Sequence, residues 1–395
     1  KYHFLVKREK PTIEDDCVDF WLAPQGLKKA RVCDEYDNDP DIAAILFSSG
    51  TTNRMKAVCM RSKTLLDMAD NHEKYVRLPR SRTGATVFPH FHLAGLMAHY
   101  TQFFTHSVAY INEEFNVVKF PELLTTFEPE CISVIPSVLD AYRAKILGAI
   151  ENKGPAVEAG FKGLLATSLA IRKRTGINVG GPIFKSIRDQ AFGKNLYIFY
   201  FGAEGIKEET YDFFYALGIE SMINHYCSTE VAYPCVQSSA TDGYLGTAVG
   251  KYDTNRDAGV QVVIKDEDQN AIGEVRISSP YLFKSYFRDP ELTRHAFDEN
   301  GLFKTGDLGY LDKTGSLFIV GRKKDIILMR NGKKVSPDDL EDYYKKACGV
   351  KDLAVCGIAN KDGFDEIALF ITRDPDSTES PDVWRNRLNE AISNA

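Results

Sequence analysis

Apolar residues along the chain fall into short unbroken runs and into longer stretches spaced at helical intervals, and the two patterns take turns. Ile42–Phe47 is an unbroken apolar run that ends in Ser, Gly and Thr, and it predicts a buried strand. Cys131–Ile135 predicts another strand. Pro136 then opens a helix with Val138, Leu139, Tyr142, Ile146, Leu147 and Ile150 on one face. Residues 151–195 are richer in Gly, Lys and Arg, and predict a surface excursion with a basic helix around Ile171–Arg174. Leu196–Phe201 reads as a strand and Glu208–Leu217 as a helix, with Gly218 as its stop. Strands alternating with helices are the pattern of an α/β protein.

The texture changes after about Gly243. Val260–Ile264, Glu274–Ile277 and Gly315–Val320 read as strands separated by turn clusters such as 266–270, which predicts a small β-rich subdomain. From Lys324 a compact α+β unit follows. Ser336-Pro337-Asp338-Asp339 supplies a cap, a first-turn proline and an acidic first turn. Leu353–Ile358 and Glu366–Ile371 predict strands. Ser380-Pro381-Asp382 opens a last helix, expected to turn Val383, Trp384, Leu388 and Ile392 inward. The domain expectation is therefore 1–323, with the β-rich subdomain from about 243, and 324–395.

Composition narrows the class. The chain has 395 residues, 44% hydrophobic and 26% charged, which are globular values. Its 49 Lys+Arg against 55 Asp+Glu give a net charge of −6, which argues against a nucleic-acid partner. No apolar run approaches the ~20 residues of a membrane span, so no transmembrane segment is expected. Eight cysteines form no C-x-x-C pair, and neither they nor the 8 histidines show metal-ligand spacing. Reduced thiols in a cytoplasmic protein are the expectation. The first residue, Lys1, is not Met, so the start reads as a boundary rather than a natural N-terminus.

The strongest local signal follows the first strand: Ser48-Ser49-Gly50-Thr51-Thr52-Asn53-Arg54-Met55-Lys56. Small hydroxyl residues and glycine let backbone N–H groups close around an anion, and Arg54 and Lys56 add positive charge. The run is not a Walker A loop. Further motifs follow in order: Gly202-Ala203-Glu204, His225-Tyr226-Cys227-Ser228-Thr229-Glu230, Tyr286-Phe287-Arg288-Asp289-Pro290-Glu291-Leu292-Thr293, Gly301 to Gly309 around Thr305-Gly306-Asp307, Gly321-Arg322-Lys323-Lys324-Asp325, and Asn331-Gly332-Lys333-Lys334.

This ordered set resembles the AMP-forming acyl-adenylating (ANL) superfamily of acyl-CoA synthetases, peptide-synthetase adenylation domains and luciferases. The resemblance runs from about Asp41 to the end. Within it, Phe161–Phe201, with Ile171-Arg172-Lys173, Gly176-Ile177-Asn178 and 192–196, is similar to bacterial long-chain acyl-CoA synthetases. Asn53 and Met55 depart from the commoner Thr-Thr-Gly-x-Pro-Lys form of the loop.

The resemblance implies a large multi-sheet adenylating N-terminal domain, incomplete at its start, and a small mobile α+β C-terminal domain, here truncated. A catalytic lysine that relatives carry near their end has no candidate beyond Lys361. The implied activity is ATP-dependent activation of a fatty acid through acyl-AMP to acyl-CoA, with ATP, Mg²⁺ and coenzyme A. The resemblance puts Ser48, Ser49, Gly50, Thr51, Thr52 and Lys56 on the β- and γ-phosphates, and Thr229 on the α-phosphate. It gives Glu230 to Mg²⁺, and Gly202, Ala203, Glu204 and Tyr226 to the adenine. Asp307 goes to the ribose hydroxyls and Arg322 to ribose or phosphate oxygens. Thr229, Glu230, Lys56 and Arg322 form the implied catalytic set, His92 and Gly332 the acyl and CoA site, and Lys324 the hinge. Taken singly, each has a plainer reading: Asp307 as a turn aspartate, Glu230 as a helix-start carboxylate, Arg322 as a solvated cation, Tyr226 and His92 as core or loop residues. Two other functions stay open, loading of an acyl carrier protein and non-catalytic binding of a nucleotide or acyl-AMP. The run Arg172-Lys173-Arg174 leaves open a peripheral contact with a membrane or an acidic carrier, with a solvated helix face favoured.

Overall fold

The structure, a computed structural model, describes residues 3–5, 17–19, 41–48, 55–66, 83–89, 91–104, 108–110, 120–238, 243–244, 246–248, 250–251, 259–330, 334–348, 350, 352–361, 365–372 and 380–393. The chain divides into two compact units. The first is Lys1–Val262 with Ile277–Phe303 and Leu311–Phe318, and the second is Val263–Arg276 with Lys304–Tyr310 and Ile319–Ala395.

The first unit begins with a small ribbon of β1 (His3–Leu5) and β2 (Cys17–Asp19). Next come β3 (Ile42–Ser48) and β4 (Lys56–Arg61), an antiparallel hairpin. The main sheet uses β5 (Thr83–Thr86), β6 (Val108–Tyr110), β7 (Cys131–Val134), β8 (Ile198–Gly202), β9 (Ser221–Ser228), β10 (Ala232–Ser238) and β11 (Gly250–Lys251). Their order is β11-β10-β9-β8-β7-β5-β6. Strands β6, β5, β7, β8 and β9 are parallel, and β10 and β11 add antiparallel. Parallel neighbours need crossovers, and helices supply them. Helices Phe120–Phe127, Pro136–Glu151, Pro155–Thr175, Lys185–Phe192 and Glu208–Leu217 fill that role. They share one core, in which Ile132, Val134, Phe199, Phe201 and Met222 from the strands meet Leu139, Tyr142, Phe192, Tyr211 and Phe214.

The path from β5 through the Leu93–Phe104 helix to β6 steps outward, whereas the next crossover returns past β5 to β7. Right-handed crossovers therefore lay that helix on the opposite face of the sheet. Its buried Leu93 and Met97 are not members of the shared core. The direction of winding reverses between β5 and β7, and α/β sheets open a ligand crevice beyond the strand ends at such a point.

Residues 151–195 are mostly exposed and helical, with the basic helix where the sequence expects it, and the segment is anchored at both ends. The Pro155–Thr175 helix starts on a proline and ends at Gly176 in the left-handed conformation, and Phe161, Phe184 and Phe192 belong to the core. The basic run is a solvated face only in part: Lys173 and Arg174 are exposed, whereas Arg172 is buried. The Arg172 guanidinium is 5% exposed and donates to the carbonyls of Tyr215, Ile219 and Glu220 at 2.6, 2.7 and 2.8 Å. Lys173 pairs with Asp212 at 2.8 Å and lies over the Tyr244 ring. Lys and Arg at one side of a helix looked solvent-facing because their acceptors lie more than 35 positions away in sequence, at the end of the Glu208–Leu217 helix.

The boundary between the units runs through β12 (Gln261–Lys265), β13 (Gly273–Ser278), β15 (Phe303–Leu311) and β16 (Ser316–Arg322). Between them β14 (Ser285–Tyr286) joins β4, giving the first unit a small sheet ordered β14-β4-β3. In the second unit β17 (Ile327–Leu328) pairs with β18 (Lys334–Val335), and β19 (Asp352–Ala359) with β20 (Asp365–Thr372). Helices Pro337–Cys348 and Pro381–Ser393 bury Tyr344, Cys348 and Ala391 against Ile327, Leu353 and Val355. The expected inward face of the last helix is corrected. Leu388 and Ala391 pack inward, whereas Val383 and Ile392 flank that stripe and are 46% and 47% exposed. The Trp384 side chain lies outside the described residues. The α/β class, with a small α+β unit toward the end, is as the sequence pattern predicts.

Candidate active site

The hairpin of β3 and β4 sets Ser48 directly opposite Lys56. Ser49, Gly50, Thr51 and Thr52, the expected phosphate loop between them, lie outside the described residues. On the other side of β4, β14 pairs Tyr286 with Val58, and the Phe287 N–H donates to the Ala57 carbonyl at 2.8 Å. The Phe283 N–H donates to the Glu230 carbonyl at 2.8 Å, which ties the turn after β9 to this small sheet.

Glu230 is thereby held among these strands, 8% exposed. The Tyr286 hydroxyl donates to its Oε1 at 3.0 Å, and the Ser48 hydroxyl donates to the same oxygen at 3.3 Å. Lys56 Nζ stands 5.2 Å from the Tyr286 ring centroid, a cation–π contact. Burial, and then the Glu230 charge, push the Tyr286 hydroxyl above its ordinary range, so it stays a donor. Both hydrogen bonds fall on Oε1. Among the described residues Oε2 has no donor, and the carboxylate forms no ion pair. A buried carboxylate met by neutral hydroxyls alone is an incompletely compensated charge. Mg²⁺ is held by one or two carboxylates together with substrate phosphates and waters, so this donor set fits it.

A second group lies at the C-terminal ends of the parallel strands. A Cβ on Gly202 would meet the His225 carbonyl oxygen at 2.4 Å, so the close approach of β8 to β9 requires glycine there. Ala203 sits at φ +71°, and its N–H bonds the Cys227 sulfur. Burial pushes the Cys227 thiol up to about 11, so it remains a thiol rather than a nucleophile. Glu204 accepts the Ser137 N–H at 2.6 Å. It thus caps the Pro136–Glu151 helix, whose own N-cap residue, Ile135, offers no side-chain bond. Tyr226 is half-buried, Thr229 is 9% exposed, and the neighbouring Ser228 hydroxyl is buried with no hydrogen-bond partner among the described residues.

On the face of these strands away from the helical core, the register aligns Ser133 with Tyr200, and the Tyr200 ring lies 5.9 Å from that of His225. Cys131, Ile198 and Ile223 form an apolar cluster on the same face. His92 precedes the Leu93–Phe104 helix. Its Nδ1 accepts the Ala94 N–H at 3.2 Å, and its ring stacks on Phe88 at 6.0 Å. Burial lowers its pKa. A neutral ring with Nδ1 as acceptor carries its proton on Nε2.

The second unit carries the Thr-Gly-Asp motif on β15. Gly306 has φ +74°, and Thr305 donates to the Val275 carbonyl at 2.6 Å while accepting the Asp307 N–H at 3.0 Å. Next to this left-handed glycine, the Asp307 carboxylate lies 2.9 Å from Arg322 Nη1. Asp307 is buried and Arg322 half-exposed, which suits an acceptor beside a mobile cation. Lys323 N–H donates to the Gly306 carbonyl at 2.8 Å, and Asp325 N–H closes a turn onto Arg322 at 3.0 Å. Lys324, the expected hinge, is exposed within that turn. Gly332 lies outside the described residues.

The structure therefore brings Ser48, Lys56 and Glu230 together, and separately Asp307 with Arg322. His92 makes its contacts with Phe88 and its own helix. Tyr286 was missed as a site residue. Its motif was visible, but only the pairing of β14 with β4 reveals that its hydroxyl meets a carboxylate 56 positions away.

Residues 5–287 match the family described as AMP-binding enzyme. The long-chain-fatty-acid–CoA ligase FadD15 of Mycobacterium bovis is 26% identical over 373 residues, 91% of this chain and 58% of that protein. The putative acyl–CoA ligase YdaB of Bacillus subtilis is 41% identical over 107 residues, 26% of this chain and 21% of that protein. Among solved structures, ATP-bound MatB from Rhodopseudomonas palustris superposes with a TM-score of 0.65 at 22% identity, over 90% of this chain and 62% of that one. MenE of Bacillus subtilis with its acyl-adenylate gives 0.67 at 18% identity, over 90% and 63%. Identities this low establish a shared fold. The chain spans 58% of the FadD15 ligase and 62–63% of these two structures.

Proposed function

Because the chain belongs to the AMP-binding enzyme family, we propose that it activates a carboxylic acid, through an acyl-adenylate, to a coenzyme A thioester. The substrate carboxylate attacks the α-phosphorus of ATP and releases pyrophosphate. The thiol of coenzyme A then attacks the acyl carbon and releases AMP. The observation that carries this reading is Glu230, buried, oriented by two hydroxyls, and next to a strand pair that ends in Ser48 and begins again at Lys56.

In this reading Lys56 and residues 48–52 hold the β- and γ-phosphates, and Thr229 donates to the α-phosphate. Glu230 would hold Mg²⁺, which neutralises phosphate charge as it builds in the displacement. Asp307 accepts the ribose hydroxyls with Arg322 at its side. Lys324 serves as the hinge. The acid in this reading is a fatty acid. The FadD15 relative, aligned over 91% of this chain, supports the same choice.

The test is acid-dependent exchange of labelled pyrophosphate into ATP, run with palmitate, octanoate and malonate, followed by thioester formation with coenzyme A or a phosphopantetheinyl carrier protein. Exchange with palmitate and thioester with coenzyme A are expected. Exchange with malonate alone would overturn the fatty-acid choice. Nucleotide binding without exchange for any acid would overturn the enzyme reading.

A further inference from the structure

We propose that Tyr286 is the positioning residue of the carboxylate Glu230, fixing it by Oε1 so that Oε2 is presented to the divalent cation of the bound nucleotide. The proposal rests on the nucleotide reading of the site and adds a residue to it.

Three features of the geometry point this way. First, two donors converge on one oxygen, Tyr286 at 3.0 Å and Ser48 at 3.3 Å, and among the described residues none reaches the other. Oε2 is not one of the buried polar atoms left without a partner, so it keeps access to solvent and to a ligand while Oε1 is tied down. Secondly, the hydroxyl is rigidly delivered. The Tyr286 ring packs on Phe283 with centroids 4.8 Å apart, its N–H donates to Thr293 Oγ1 at 2.9 Å, and its strand pairs with β4. A donor fixed on its own scaffold aligns an anion at little entropic cost. Thirdly, Lys56 stands over the face of this same ring rather than on the carboxylate. The tyrosine thus meets the buried anion with its hydroxyl and a cation of the site with its ring. Among the described residues neither Glu230 nor Lys56 forms an ion pair, which leaves the carboxylate for a metal and the lysine for phosphate oxygens. The Thr293 bond also explains why the tyrosine and the threonine seven positions later occur in one sequence motif: the helix Pro290–His295 buttresses the strand that carries the hydroxyl.

The experiment is calorimetric binding of ATP with Mg²⁺ and of ATP in a chelator, on the wild-type chain and on Tyr286→Phe, Ser48→Ala, Glu230→Gln and the Tyr286→Phe/Glu230→Gln pair. The readout is the ratio of the two affinities, a binding quantity independent of turnover. Phenylalanine keeps the ring packing, and a melting curve checks the fold of each variant. The expected result is a five- to tenfold smaller Mg²⁺ enhancement in Tyr286→Phe, with metal-free affinity unchanged, and a smaller drop in Ser48→Ala. Glu230→Gln should abolish the enhancement, and adding Tyr286→Phe to it should change nothing more. An enhancement in Tyr286→Phe equal to that of the wild type would overturn the positioning role. So would equal losses of the metal-free and metal-bound affinities, the signature of a merely structural residue. If the wild type binds ATP in neither condition, the nucleotide reading itself fails. Should Tyr286→Phe not fold, Thr293→Val, which loosens the strand that carries the hydroxyl, takes its place: a smaller Mg²⁺ enhancement is expected, and one equal to that of the wild type would overturn the role.

Discussion

His92 shows how much one side chain can be asked to do. Its Nδ1 accepts the Ala94 N–H and so caps the Leu93–Phe104 helix, and burial holds its pKa below the ordinary 6.5. A ring that is harder to protonate when folded contributes stability above about pH 6.5, and loses it as pH falls toward the folded value, because the unfolded chain then takes up the proton more readily. The cap also requires a lone pair on Nδ1, which protonation removes. Asparagine caps as well as any residue and does not titrate. His92→Asn is therefore expected to match the wild type in urea at pH 7.5 and to exceed it at pH 5.5. Parallel pH profiles for the two proteins would refute the cap. At this scale the sequence was only partly legible. The ordered motifs singled out Glu230 and Asp307 as candidates, and the structure buries both carboxylates. The bond from Glu204 to the start of a helix 67 positions earlier could not. Neither could the bond from Tyr286 to Glu230, because local spacing carries no information about which strands will lie side by side.

Among elements, the Glu208–Leu217 helix matters most, since it links β8 to β9 and so sets the height at which Tyr226, Thr229 and Glu230 leave the sheet. Its amphipathic run and the Gly218 stop were readable in advance, and Gly218 indeed takes φ +94°. Its far end is held in a way that was not readable. Arg172 donates to three carbonyls there, and Arg188 to those of Leu217, Gly180 and Gly181. The reason is packing: a Cβ on Gly218 would lie 2.3 Å from the Gly181 nitrogen, so two backbones touch where water cannot enter to meet the carbonyls. Arg172→Ala would strand those acceptors and is expected to cost roughly 2–3 kcal/mol by urea unfolding at constant slope. Arg172→Lys should recover little, since one ammonium on a flexible stem cannot span the carbonyls a planar fork reaches. A lysine variant within about 0.5 kcal/mol of wild type would show that charge, not geometry, holds the joint. Arg172 was read from the sequence as part of a solvated run because a helical wheel sees only its own helix.

For the whole molecule, the division of the chain into two units gives the proposed nucleotide contacts separate addresses, and this can be tested by mass action. Lys56 and Glu230 belong to the first unit, and Asp307 and Arg322 to the second. A ligand that binds the folded chain raises its stability by about 2.7 kcal/mol at a hundred times its Kd, which is roughly 3–5 °C in a chain of this size. Pyrophosphate has no ribose, and AMP has no β- or γ-phosphate. If Lys56 meets the outer phosphates and Asp307 the ribose, the two probes should respond to different substitutions. Lys56→Ala is expected to remove most of the thermal shift given by pyrophosphate and to leave that of AMP nearly intact. Asp307→Ala should do the reverse, since it deletes charge-assisted hydrogen bonds of roughly 1.5–3 kcal/mol each to the ribose hydroxyls. The paired ion at Arg322 lies at an exposed rim, with 52% of the arginine side chain accessible, so its loss adds little of its own to the change in stability of the empty protein. Melting curves of the three proteins with each ligand, at concentrations matched to their affinities for the wild type, decide the matter. A full AMP shift in Asp307→Ala would withdraw the ribose assignment, and a full pyrophosphate shift in Lys56→Ala would withdraw the phosphate one. Either result would leave the other residue's role standing, because each ligand reports on its own set of contacts.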